Sequence, residues 1–200
     1  MHSPSRARDP SADNAVKVSI QALGVHLGFA AIGVLFLGVL TMFWVTRAQA
    51  EVWRTPAMLP LPSGLWVSTG LLVCVSASLE SARRSILVNH QERLRLGLRL
   101  GFAFAVAFLV GQVINWRHMM VMPVEVAGAS LYVFMFYLLT AVHAAHVVGG
   151  LVPLGWVMVR AAHREYSSSR AAGVVFCVNY WHLLGVLWLI LLASLYLADG

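Results

Sequence analysis

The residues able to do chemistry in this 200-residue chain are polar groups set inside long apolar stretches: His26, Glu80, Gln112, Asn115, His143, His146, Asn179 and His182. Such groups are expensive in hydrocarbon, so each needs a partner or a task. His143 and His146 stand three residues apart and therefore share one helix face. Paired imidazoles can ligate a metal or a haem iron. A bis-histidine haem would draw its second ligand from a facing helix, for which His182 or His26 is available; the alternative is that these histidines hydrogen-bond neighbouring helices or water. A membrane di-iron oxygenase needs many more histidines or several carboxylates, and only Glu80 lies well inside an apolar boundary. Glu80 precedes Arg83 by three residues and Arg84 by four, the spacing of local ion pairs, with a proton-carrying role as the alternative. The two arginines also match phosphate oxygens, which makes them candidates for lipid head groups. Cys74 and Cys177 fall in apolar runs and read as small buried hydrophobes. The sequence holds no phosphate-binding loop, nucleophile elbow or zinc-protease signature.

The elements that must position these residues follow from hydrophobicity. Sixty per cent of the chain is hydrophobic and 11% is charged, against roughly a quarter charged in ordinary soluble domains. The fold class is therefore all-α, a polytopic membrane bundle with five transmembrane helices at about 23–46, 63–84, 96–116, 129–160 and 171–197. Crossing ~30 Å of hydrocarbon takes ~20 residues; the second run is short in its strictly apolar part and gains length if Glu80 faces protein. Residues 1–16 read as a disordered cytoplasmic tail and 17–200 as the five-helix domain. Ala48-Gln49-Ala50 imitates a signal-peptidase site, but the preceding apolar run is too long for a signal peptide.

The net charge of +6 would suit nucleic acid, but the charges sit between apolar runs, where they orient a membrane protein instead. Arg6, Arg8 and Lys17 lie in the tail, Arg83, Arg84, Arg93, Arg95 and Arg99 between the second and third runs, and Arg160, Arg164 and Arg170 between the fourth and fifth. Arg47, Arg54 and Arg117 fall on the other side. Basic loops stay in the cytoplasm, which predicts a cytoplasmic N-terminus and a periplasmic C-terminus. Gly24 and Gly28, and the longer series Gly97, Gly101 and Ala105, are small-residue stripes of the kind that bring membrane helices together.

Two segments carry a family likeness. Thr140-Ala141-Val142-His143-Ala144-Ala145-His146-Val147-Val148-Gly149 resembles the T-G-x-H-G-x-H-V-x-x-G segment of haem-copper oxidase subunit III. Asn179-Tyr180-Trp181-His182-Leu183-Leu184-Gly185-Val186-Leu187-Trp188-Leu189 is similar to that family's Y-W-H-F-V-D-x-V-W-L segment. Gln112-Val113-Ile114-Asn115-Trp116 more weakly resembles its Q-x-x-E-Y/W segment. The likeness covers about 60–197 and fits the short five-helix bacterial form, such as the bo-type quinol oxidase subunit III. It implies a non-catalytic accessory subunit of the cytoplasmic (inner) membrane, holding no metal and no cofactor of its own. Haem and copper would sit in partner subunits, with subunits I and II as partners and phospholipid bound in a cleft between helix groups. The complex would reduce oxygen and pump protons, with cytochrome c or quinol as donor. His143, His146, Trp181, His182 and Gln112 would then be structural polar contacts between helices.

The chain departs from the family pattern at Gly185 and Asn115, where relatives carry carboxylates, and at Ala144, where they carry glycine. Losing two ionisable groups leaves room for two other readings: a subunit-III-like accessory or assembly protein of nitric oxide reductase, and a self-contained histidine-ligated haem or metal protein. A transporter fits less well, because an inverted repeat and discontinuous helices are missing.

Overall fold

The computed structural model describes residues 10–53, 60–120 and 130–199. Among them every regular element is an α-helix: α1 (Pro10–Gln49), α2 (Gly64–Leu87), α3 (Gln91–Met120), α4 (Leu131–Ala162) and α5 (Ala172–Asp199). All five contain a stretch long and apolar enough to cross a membrane, as the hydrophobic runs predict. The ends differ from expectation. Helix α1 is continuous from Pro10, inside the segment read as a tail up to residue 16, while residues 1–9, with Arg6 and Arg8, lie outside the described residues, as does Arg54. Helix α3 begins at Gln91, so Arg93, Arg95 and Arg99 stand on its first turns and not in a loop. Arginine is a good helix former and its head group lies comfortably at a membrane surface, so the helix outruns its apolar core.

The chain divides into two units, Met1–Gly38 and Val39–Gly200. Over its described residues the first is a single stretch of α1. A Cβ built on Gly24 or Gly28 there meets no atom within 4 Å. In the second unit α2 packs on α3 and on α5, and α4 packs on α3 and on α5, closing a four-helix ring.

The α3 stripe makes close contacts with α2. A Cβ on Gly97 would stand 2.7 Å from the Ser78 carbonyl oxygen and 2.9 Å from the Ala82 Cβ; one on Gly101 would stand 2.6 Å from Leu79 Cδ2. Lipid is as apolar as leucine, so helices gain little from hydrophobicity and associate through such close packing. Gly97→Val is expected to destabilise the chain by about 1–3 kcal/mol through overpacking against backbone, seen as a lower unfolding midpoint in mild detergent. A midpoint unchanged from wild type would mean that the stripe does not hold α2 to α3.

The two inter-helix turns at one end are joined. Asn89, with φ 57°, ends the α2–α3 hairpin in the left-handed region that asparagine tolerates better than other side chains. Its Nδ2 donates to Ser168 Oγ (3.1 Å) and its Oδ1 accepts from the Ser168 amide (2.7 Å). Gln91 Nε2 donates to the Tyr166 carbonyl at 2.8 Å. Arg95 donates to the carbonyls of Ala161 (3.1 Å) and Ala162 (3.3 Å) at the last turn of α4. At the opposite end Arg47 Nε donates to the Ala198 carbonyl (3.3 Å) and lies over the Trp53 ring, and Tyr132 donates to Asp199 Oδ1 (3.0 Å).

Candidate functional site

The face of α3 that carries Gly97, Gly101 and Ala105 continues, at helical spacing, into Phe108, Gln112 and Asn115, all buried. Opposite it α4 buries Phe136, Thr140, His143 and Val147. The polar members of this interior are handled in different ways. Trp116 Nε1 donates to Thr140 Oγ1 at 2.9 Å, and Thr140 in turn donates to the Phe136 carbonyl at 2.7 Å. Asn115 Nδ2 donates weakly to Ser68 Oγ at 3.4 Å, and its Oδ1 lies against Gly64. The Gln112 amide is fully buried, and neither its nitrogen nor its oxygen has a hydrogen-bond partner among the described residues.

The three histidines of the two motifs are not brought together. The His143 ring, fully buried, lies between Trp188 (centroids 5.1 Å apart, 45°) and the edge of Phe108 (5.7 Å, 76°). His146, one helical turn on, is half-buried; its Nδ1–H donates to the Val142 carbonyl of its own helix at 2.8 Å. The acceptor at that distance fixes the proton on Nδ1. The neighbouring Tyr180 hydroxyl donates to the His146 carbonyl, also at 2.8 Å. His182 points elsewhere, with Nε2 3.8 Å from Glu80 Oε2 on α2. Trp181 is buried, its ring across Gly150, and Asn179 is exposed. Among the described residues no three His, Cys, Asp or Glu side chains gather as a metal-binding group.

The charged residues collect at the α2 end. Glu80 is held bidentately by Arg83, Nε on Oε2 and Nη2 on Oε1, both 2.8 Å, and accepts a third bond on Oε1 from Arg84 Nε, also 2.8 Å. Below this cluster an apolar groove of about 400 Å³ opens between α2 and α5, lined by Thr69, Leu72, Ser76, His182, Gly185 and Trp188. A Cβ on Gly185 would reach Ser76 Oγ at 3.5 Å, an ordinary contact. Two inter-helix contacts escape sequence reasoning: Trp188 Nε1 donating to Thr69 Oγ1 (3.0 Å), and the Tyr137 hydroxyl donating to the Trp116 carbonyl (2.8 Å). Helical spacing assigns a face to each of these residues but not a partner helix.

Gln112 offers a direct test of what the interior does. If its amide serves nothing but packing, Gln112→Leu relieves an unsatisfied buried group and is expected to raise stability by about 1 kcal/mol, measured by unfolding in bicelles. A loss of stability would show that the amide holds a partner from outside the chain.

Five helices long and apolar enough to cross a membrane define a polytopic membrane protein. Comparison with known proteins narrows this. A profile of the family described as cytochrome c oxidase subunit III matches residues 19–199. The chain is 27% identical to the cytochrome c oxidase subunit 3 of Corynebacterium diphtheriae, over 98% of this chain and 94% of that one. It is 28% identical to that of Synechocystis sp. over 89% and 76%, and 25% identical to the probable cytochrome c oxidase subunit 3 of Mycobacterium tuberculosis over 80% and 79%. The chain belongs to the cytochrome c oxidase subunit III family, the subunit III of haem-copper oxidases.

Proposed function

We propose that this chain is the accessory subunit III of a bacterial terminal oxidase, packed on subunit I and assembled with subunit II in the inner membrane. It carries out no chemistry itself and supports oxygen reduction and proton pumping by its partners. The observation that supports this reading best is the family match over nearly the whole chain together with the use made of its motif residues. His143 is packed between rings and His146 bonds its own helix, which suits a scaffold. The basic residues at the α2–α3 and α4–α5 turns support an N-terminus in the cytoplasm and a C-terminus in the periplasm. Phospholipid is the expected small-molecule partner, and haem and copper belong to the larger subunits.

Affinity purification of the tagged chain from its native membrane in mild detergent tests this. The expected result is haem absorbance together with oxidase subunits I and II. Haem bands from the chain alone would overturn the accessory role. A nitric oxide reductase in place of the oxidase would support the second reading, which Asn115 and Gly185 favour because the family carries carboxylates at those positions.

A further inference from the structure

Asn179 has no role in the packing described above. It stands exposed on α5 and makes no side-chain hydrogen bond among the described residues. Helix α5 has 28 residues, so it is about 42 Å long, and the hydrocarbon layer takes ~30 Å of that length. Asn179 comes seven residues after Ala172, the first residue of α5. That is about 10 Å along the axis, inside the hydrocarbon when the helix is centred in it. Lysine and arginine reach water from such a depth on long stems; asparagine has a single methylene and cannot. A carboxamide facing acyl chains there forfeits the hydrogen bonds that water would supply.

The face around it repeats every seven residues. Ala172, Asn179, Val186 and Ala193 are all exposed and form its midline. Val175, His182, Leu189 and Tyr196, each three residues further on, flank it and are exposed or half-buried. A period of this kind is the seam along which two helices coil around each other. One asparagine on such a midline is the device that fixes register and strand number in parallel coiled coils. Lipid chains cannot answer the carboxamide, whereas a second copy of the chain answers it at once. A two-fold axis along the membrane normal keeps both copies in one orientation and sets each residue opposite itself at equal depth. A carboxamide carries both donors and an acceptor, so two of them satisfy each other. Glu80, beside His182, is already closed by Arg83 and Arg84, so this flank presents no bare carboxylate to its copy.

We propose that this face of α5 joins two copies of the chain in a parallel dimer, with Asn179 of each copy hydrogen-bonded to its counterpart and Val186 and Ala193 packed across the axis. The inference goes beyond the accessory role. It concerns contact between copies of this chain, and it holds whether the larger subunits belong to an oxidase or to a reductase.

The full-length chain is cross-linked in its native membrane with copper phenanthroline, after the exposed Cys74 is removed by Cys74→Ser. In that background Val186→Cys is expected to give a disulfide product of twice the chain's mass. Val148→Cys, at a position 52% exposed on α4, is expected to give none. Two differently tagged copies are then co-purified in mild detergent over a dilution series. Asn179→Leu is expected to weaken their association about tenfold, while Asn179→Gln, which keeps the carboxamide, retains most of it. Asn179 is exposed, so the leucine variant leaves the buried ring of helices intact, and an unchanged unfolding midpoint verifies this. Equal cross-linking at both cysteines, no Val186→Cys product or one of any other mass, or association unchanged by Asn179→Leu would overturn the proposal.

Discussion

Replacing Trp188 with alanine is expected to destabilise the folded chain by about 3–5 kcal/mol, the range for emptying a buried aromatic site. Trp188 stands on α5 and is 1% exposed. Its Nε1 donates to Thr69 of α2, its ring meets Phe108 of α3 edge-on at 5.1 Å, and it lies at 5.1 Å from the His143 ring of α4. One side chain thus touches all three other helices of the ring. In a bilayer, truncation returns little hydrophobic free energy, because the alternative solvent is also apolar. The loss comes from dispersion contacts that a void cannot replace, and from Thr69 Oγ1, which keeps its own bond to the Leu65 carbonyl but loses its donor. Trp188→Phe separates the two contributions: it keeps a ring and loses the hydrogen bond, at an expected cost of about 0.6–1.7 kcal/mol. Both are measured as unfolding free energies in bicelles. If alanine and phenylalanine cost the same, the rings around His143 contribute nothing and the four-helix junction is not centred there.

The parts of this arrangement that sequence makes legible are those set by the bilayer. Five apolar runs of sufficient length become five helices because in hydrocarbon a helix satisfies every backbone group within its own segment. The α3 stripe of Gly97, Gly101 and Ala105 is legible for a similar reason, since only small residues allow backbones to approach. Helix ends are not, because Arg93 and Arg95 are as much at home on a helix as in a loop. Partner choice is legible only in part. Spacing puts both Arg83 and Arg84 within reach of Glu80, and side-chain direction then decides that one is fully engaged and the other is not. His143 and His182 belong to neighbouring motifs of one family, yet helix rotation turns the first into the interior and the second towards Glu80. The importance of Trp188 appears only when three other helices are in place around it.

Gly185 and Asn115, where the family pattern has carboxylates, are expected to respond unequally when an acid is introduced. Asn115 is 3% exposed, with Ser68 on its amide nitrogen and Gly64 against its oxygen. Glutamate there adds a methylene to a filled site and a carboxylate beside Gln112, a neutral amide. A charge inside a membrane helix costs about 2.5–3.5 kcal/mol, and overpacking adds to it. Asn115→Glu is therefore expected to lose about 3 kcal/mol or more and most of the folded yield. Gly185 instead borders the groove between α2 and α5, where a new Cβ finds Ser76 Oγ at 3.5 Å and about 400 Å³ of space. Aspartate there stands three residues from His182, on the same helix face, so a partner is within reach. Gly185→Asp adds no overpacking and gains a hydrogen-bond partner, so it is expected to cost clearly less than Asn115→Glu. Unfolding midpoints of the two variants in the same bicelles decide the matter. Two equally tolerated acids would mean that the interior around Asn115 is not closed over a neutral group. Two equally damaging ones would mean that the groove at Gly185 is occupied in the folded protein, by lipid or by a neighbouring subunit.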